Sequence, residues 1–163
     1  MSTVRFKYCD GSDRDFAENC ILLDEYLKQK TDGVISSEVQ EKYTHCNQTD
    51  TIKHAVVVYC DEALAGSGAL REYGFGDLDD TAEIKRVFVR EEFRKQGIGS
   101  LLMSELIETA KQLGYKAVIL ETGSVFEETI RFYAGLGFEP IPNYGPYQDI
   151  PASVCMKLDL TAR

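Results

Sequence analysis

The segment Arg94-Lys95-Gln96-Gly97-Ile98-Gly99-Ser100 sets two cations and two glycines at a spacing suited to holding an anion. The run Glu83-Ile-Lys-Arg-Val-Phe-Val89 before it alternates and is rich in β-branched and aromatic residues, which predicts a strand. After it, Leu101, Leu102, Leu106, Ile107, Ala110 and Leu113 make a helical stripe closed by Gly114. A turn that enters a helix leaves the first N–H groups unpaired, and the helix dipole puts partial positive charge at the same point. Arg94 and Lys95 add full charges, so the expected ligand is a pyrophosphate. Glycine suits Gly97 and Gly99 because a Cβ would collide with the phosphate or forbid a positive φ. A ligand-free tight turn is the plainer reading of the same glycines; the adjoining Arg94 favours the anion. Other phosphate loops do not fit. No Gly-x-x-x-x-Gly-Lys-Ser/Thr string occurs, and Leu102 stands where a dinucleotide fingerprint needs its third glycine.

Such a loop needs a sheet and helices to hold it, and the chain supplies both. Val4, Phe6 and Tyr8 alternate as a first strand. Ser12 with Asp15 resembles a capping box opening a helix that carries Phe16, Cys20, Leu23 and Leu27 and runs to about Lys30. Residues 31–51 are the least readable, with a short helix near Ser37 to Tyr43. Ile52 to Cys60 and Leu64 to Glu72 read as a hairpin about the turn Asp61-Glu62-Ala63, followed by a loop from Gly74 to Asp80. After the glycine loop and its helix come a strand from Ala117 to Glu121 and a helix from Glu127 to Ala134. Strands at Phe138 to Ile141 and Val154 to Leu160 close the chain.

The whole, 1–163, reads as one domain: 163 residues suffice for a single core, and neither a repeat nor a composition shift marks a second unit. Apolar content of 44% and net charge −9 fit a soluble globular protein. No apolar run is long enough to span a bilayer, and Met-Ser-Thr-Val-Arg lacks a signal-peptide core, so the expectation is a cytoplasmic protein with no membrane partner. Cys9, Cys20, Cys46, Cys60 and Cys155 are scattered and form no Cys-x-x-Cys; with only His45 and His54 to help, the expectation is reduced thiols and no metal. The acidic balance argues against nucleic acid and permits a cationic substrate.

Arg-x-x-Gly-x-Gly resembles the pyrophosphate loop of the GNAT superfamily of acyl-CoA-dependent N-acetyltransferases. The resemblance runs in family order through Ile84-Lys-Arg-Val-Phe-Val89, Phe93-Arg94, Gly97-Ile-Gly99, Leu120-Glu-Thr-Gly123, Ile130-Arg-Phe-Tyr133 and Gly137-Phe138, from about Ala63 to Leu160. It implies an α/β fold: a mixed, mostly antiparallel sheet of six to seven strands with helices on both faces. It also implies acetyl-CoA as co-substrate. The pyrophosphate would lie on Gly97 to Ser100, with Arg94, Lys95, Gln96 and Ile98 in the same loop. The two pantetheine amides would pair like a strand with the edge of Val87, Phe88 and Val89. In the family this strand parts from the next beyond Leu120 and Glu121, and the thioester enters the gap.

Acetyl transfer to an amine needs a group to take the ammonium proton and one to serve the departing thiolate. Glu83 stands where glutamate-base members carry the base, against the plainer reading of a solvated strand-end residue; many members use another base or water. Tyr133 matches the family tyrosine aimed at the CoA sulfur, against the plainer reading of a core ring. Phe126 departs from the pattern, since many members carry Asn or Gln there as a CoA ligand. Cys155, His45 and His54 suggest no chemistry. Asp77, Asp79 and Asp80 could line an acidic mouth, and Tyr144, Gly145-Pro146 and Tyr147 lie where acceptor loops often sit. The expectation is acetyl transfer by direct attack in a ternary complex. A non-catalytic acyl-CoA-binding or sensing module is the alternative, and a protein-interaction domain without coenzyme the remoter one. The acceptor, a small-molecule or protein amine, and a homodimeric state are both left open.

Overall fold

A computed structural model describes residues 2–73 and 80–161. Among them are seven strands: Val4–Cys9 (β1), His54–Cys60 (β2), Ala63–Glu72 (β3), Thr81–Val89 (β4), Ala117–Gly123 (β5), Glu139–Ile141 (β6) and Ser153–Asp159 (β7). They form one sheet in the order β1-β2-β3-β4-β5-β7-β6. Helices span Arg14–Thr31 (α1), Ser37–Cys46 (α2), Ile98–Gln112 (α3) and Glu127–Gly135 (α4). Each neighbouring strand pair is antiparallel except β4 and β5. The expected mixed, mostly antiparallel sheet with helices on both faces is the fold. No helix among the described residues is long and apolar enough to cross a membrane.

The two faces follow from the period of two along β2. Val56 packs with Leu70, Ala82, Ile84, Val118 and Leu120 against Leu102, Met103, Leu106 and Ala110 of α3, the stripe read from the sequence. Ala55, Val57 and Tyr59 point the other way, onto Phe16 and Cys20 of α1. Asp61 and Glu62 make a two-residue hairpin turn, both with positive φ (50° and 66°), whose twist suits the flanking strands. Ala63, expected in that turn, already belongs to β3.

Three local expectations need correcting. The cap of α1 is Asp13, whose Oδ1 accepts from the N–H groups of Asp15 and Phe16; Ser12 is spent on Asp10. The second helix runs on to Cys46, three residues past Tyr43. The signature strand starts at Thr81, two residues before Glu83. Asp77 and Asp79 of the expected acidic mouth lie outside the described residues, while Asp80 pairs with Lys116 at 3.8 Å.

Two irregularities in β4 shape everything downstream. Its parallel pairing with β5 runs only through Thr81, Ala82 and Glu83, opposite Ala117, Val118 and Ile119. The strands part there, slightly earlier than the expected point beyond Leu120 and Glu121. The pairing with β3 also slips by one residue between Ser67 and Ala69, and Arg86 in the slipped stretch has φ 61°, so β4 carries a bulge. Lys85 lies opposite Ala69, on the α1 face, and Arg86 reaches α1 as well. Two consecutive side chains thus share one face, which an even strand forbids.

Candidate active site

The parting of β4 and β5 opens a cleft of about 1200 Å³. Its lining includes Val87, Phe88, Val89, Arg94, Phe126 and Tyr133, residues of α1 and α2, and Lys85, Arg86 and Glu121.

The glycine loop stands at the outer end of β4. Gly97 is the N-cap of α3 with φ 82°, a left-handed conformation that favours glycine, and no side chain caps the helix there. A Cβ on Gly97 would meet nothing within 4 Å, and one on Gly99 would make only ordinary contact with Phe132. Gly97 is therefore fixed by backbone conformation, whereas nothing within the chain demands glycine at 99. The first α3 bond runs from Leu101 N–H to Gly97 O, so helix geometry leaves the N–H groups of Ile98, Gly99 and Ser100 pointing outward. The Ile98 side chain is 3% exposed and packs with Val58, Cys60 and Ala65, so only its backbone faces the loop. Lys95, Gln96 and Ser100 are exposed, and Gln96 donates to Glu92 O. The Arg94 Nε donates to Val89 O at 2.8 Å. Its guanidinium lies 4.9 Å from the Tyr26 ring centroid and 5.4 Å from that of Phe88. Arg94 is thus held by a carbonyl and two rings, and no carboxylate among the described residues pairs with it. Phe126 makes no polar contact and stacks on Tyr26.

Glu83 is 2% exposed and stands outside the cleft lining. Its Oε1 accepts from Arg71 Nη2 at 2.9 Å, its Oε2 accepts from Tyr144 O–H at 2.7 Å, and Lys85 Nζ lies 4.0 Å away. Tyr133 lines the cleft, is 8% exposed, and rests on Phe132 and Phe138; its hydroxyl has no hydrogen-bond partner among the described residues. Burial, helped by the charge of Glu121, pushes its phenol above the usual range. Tyr144 and Tyr147 are buried behind the cleft lining, and the Tyr147 hydroxyl oxygen accepts from Lys85 Nζ at 2.9 Å. Cys155 is buried, and its thiol is pushed up to about 11 by burial, which rules out a resting thiolate nucleophile.

Three residues of the cleft were not singled out from the sequence. Glu121 is half-buried, accepts from Ser153 Oγ at 2.7 Å, and is raised above the ordinary carboxylate range by burial, against the opposing Ser153 bond and Lys85 charge. Ser153 in turn meets Tyr43 O–H at 2.8 Å. Lys85 is 6% exposed, donates also to Asn47 at 3.3 Å, and is lowered by burial, with Glu83 opposing. Arg86 is 7% exposed. A signal did exist: Lys85 and Arg86 stand between Ile84 and the run Val87-Phe88-Val89, and Glu121 follows Val118-Ile119-Leu120.

Comparison with known proteins agrees with this geometry. The acetyltransferase (GNAT) family matches residues 21–138, well over half of the chain. An uncharacterised N-acetyltransferase of Schizosaccharomyces pombe is 26% identical over 149 residues, covering 91% of this chain and 90% of the relative. A putative acyl-CoA N-acyltransferase from Klebsiella pneumoniae has the same fold at TM-score 0.73 and 23% identity, with 98% of each chain covered. The PaiA N-acetyltransferase of Thermoplasma acidophilum, solved in complex with coenzyme A, superposes at TM-score 0.68 with 18% identity over 96% of this chain and 99% of its own. A ligand-free interaction module does not fit such relatives. This chain belongs to the acetyltransferase (GNAT) family, and it is an acyl-CoA-dependent N-acetyltransferase.

Proposed function

We propose that this enzyme moves an acetyl group from acetyl-CoA to an amine by direct attack within a ternary complex. The observation that carries the reading is that the unpaired edge of β4, Arg94, Tyr133 and Glu121 line one continuous cleft. The pyrophosphate rests on the outward N–H groups of Ile98 to Ser100, with Arg94 and Lys95 adding charge and Gln96 at the rim. The pantetheine amides pair with the free edge along Val87, Phe88 and Val89, except at the Val89 carbonyl, which Arg94 already occupies. The thioester reaches the gap that opens past Glu83 and Ile119.

A primary ammonium, with a pKa of about 10, gives up two protons on the way to an amide. Glu121 takes the first: Asp24, Asp50 and Glu128 also line the cleft, but Glu121 stands on β5 just past its last pairing with β4, and its affinity for a proton is raised. The second leaves as the C–N bond forms and the C–S bond breaks, and it balances the one gained by the thiolate. Tyr133 donates a hydrogen bond to that thiolate. A phenol less acidic than usual keeps its own proton next to a thiolate whose conjugate acid has a pKa of about 8.5. Glu83 is the second reading for the base. It is the last β4 residue paired with β5, and Lys85, a cleft residue 4.0 Å away, could relay the proton. Otherwise Glu83 positions Lys85 and Tyr144. The free thiols suit a reducing cytoplasm. The acceptor is a small-molecule or protein amine.

Calorimetric titration with acetyl-CoA, followed by thiol release across a panel of amines, tests the reading. Binding together with amine-dependent thiol release is expected; binding without release from any amine overturns it.

A further inference from the structure

Arg86 is the one buried cation of the cleft whose donors the fold leaves unused among the described residues. Its side chain is 3% exposed, yet Nε and Nη1 have no hydrogen-bond partner there. Only Nη2 is engaged, donating to Cys20 O at 3.0 Å and to Asp24 Oδ1 at 2.8 Å. Three of the five N–H donors of the guanidinium are therefore unpaired in the interior among the described residues. Buried polar groups are nearly always paired, so such an exception asks for a function. Lys85 beside it is no such exception, since Tyr147 and Asn47 take its protons.

Position narrows the partner. The bulge turns Arg86 onto the α1 side of the cleft, whereas an even strand would send it toward α3. It sits three residues past Glu83, the last paired residue of β4; Glu121 sits two past Ile119, its counterpart on β5. The two diverging walls thus carry opposite charges, both in the cleft lining. A guanidinium has donors only, in a planar fork that fits a carboxylate. The protein already puts one carboxylate on it, that of Asp24, whose side chain is 62% exposed and hence weakly held.

The geometry points to an anion site for the acceptor: the substrate is an amino-carboxylate whose carboxylate replaces Asp24 on Arg86 while its amine faces Glu121. This rests on the acetyl-transfer reading above and narrows its acceptor. It explains why the strand spends its extra residue on an arginine, and why the counter-ion is an exposed side chain that can swing away.

The unmodified enzyme gives the first test. Rates are compared for matched sets at one acetyl-CoA concentration: phenylalanine, phenylalaninamide and phenethylamine, then the corresponding trios built on methionine and glutamate. Amino-carboxylates should exceed their amides and decarboxylated amines by about 10–100-fold in kcat/KM, the range of a charge-assisted pair. Equal or better use of the neutral partners overturns the acceptor assignment and leaves acetyl transfer standing. No turnover of any member, with acetyl-CoA still bound, overturns the acceptor assignment, and acetyl transfer falls with it only if the wider amine panel also releases no thiol. Two variants add opposite signs. Arg86→Gln should raise KM for the preferred amino-carboxylate and erase its advantage over the amide, with Arg86→Lys intermediate. Asp24→Asn leaves a neutral acceptor beside the guanidinium, its folding checked by Tm, and should lower that KM several-fold by freeing the guanidinium. An unchanged or higher KM in Asp24→Asn overturns the exchange of carboxylates.

Discussion

The two faces of the sheet solve opposite problems. Against α3 the sheet is dry: Leu102, Met103, Leu106 and Ala110 are fully buried, and Ala82, Val118, Leu120 and the Tyr133 ring belong to the same cluster, which holds no charged side chain. Against α1, α2 and the Tyr144–Tyr147 turn the same strands present Glu83, Lys85 and Arg86, all under a tenth exposed. The first face is held by area removed from water, roughly 1.5–3 kcal/mol for each fully buried large aliphatic side chain. The second holds charges that would be costly alone and are tolerable only because Arg71, Tyr144, Tyr147, Asn47 and Asp24 meet them. On the proposed reading the proton acceptor belongs to the costly face, while Tyr133 reaches the cleft from the dry cluster.

The largest contrast should come from removing a charge that works and not one that merely sits. Glu121→Gln should lower turnover by about 10²–10⁴-fold, with acetyl-CoA affinity nearly kept. In the parent, the rate should fall as pH drops through the raised pKa of Glu121, so the acidic limb lies above the ordinary carboxylate range and is missing in the variant. Stability carries the reverse sign. A carboxyl that binds its proton more tightly when folded stabilises the fold at low pH and loses that contribution as pH rises through its folded pKa. The variant should therefore lose activity while losing the matching decline in Tm. If Glu83→Gln removes the limb instead, the base is Glu83.

Next come two truncations that set the faces side by side. Arg71→Ala leaves the Glu83 carboxylate buried without its close cation and should cost about 3–5 kcal/mol in denaturant unfolding. Leu106→Ala, on the dry face, should cost about 2–5 kcal/mol by opening a cavity. The sharper difference lies in function: at temperatures where both stay folded, Leu106→Ala should keep its pH–rate profile, while Arg71→Ala should shift it. Matching profiles would make the polar face mere packing.

A smaller effect is expected of Tyr133→Phe, which keeps the ring on Phe132 and Phe138 and removes the hydroxyl from the cleft. Turnover should fall by about 10–10³-fold with little change in melting. Because the phenol is pushed upward, the parent should show no basic limb from Tyr133 below about pH 10, the ordinary phenol value. Smallest is Gly97→Val. Nothing among the described residues obstructs the new side chain, but φ 82° strains a β-branched residue, and the side chain would intrude on a pyrophosphate bound as proposed. Acetyl-CoA affinity should drop roughly tenfold or more by calorimetry, the loss of one charge-assisted bond.

The dry face was legible in the sequence almost residue by residue, because α3 and β2 keep their periods and Gly114 ends the helix where expected. The glycine loop was legible for the same reason: its position between a strand and a helix follows from local pattern alone. The polar face was not. Which carboxylate lines the gap depends on where β4 and β5 part, and that is a property of two strands separated by a helix. Glu121 reads as an ordinary strand end until Ser153, from the other end of the chain, is found on it. Gly145 and Pro146 mark a turn between Tyr144 and Tyr147; they do not say that it folds inward onto Glu83 and Lys85. The bulge itself had no glycine to announce it, since the residue with positive φ is Arg86.

That bulge makes β4 one residue longer than regular pairing with β3 requires, and the surplus can be read as an insertion. Strike out Arg86 and the remaining order, Ile84, Lys85, Val87, Phe88, alternates evenly, so every hydrophobic side chain keeps its face and the α3 core needs no change. A bulge bends the strand that carries it and adds local twist. A straightened β4 would be free to stay beside β5 beyond Glu83, and the wedge between them would close. The fold and the channel are therefore separable by a single codon: one extra residue in an otherwise ordinary strand turns a closed sheet into a sheet with a doorway.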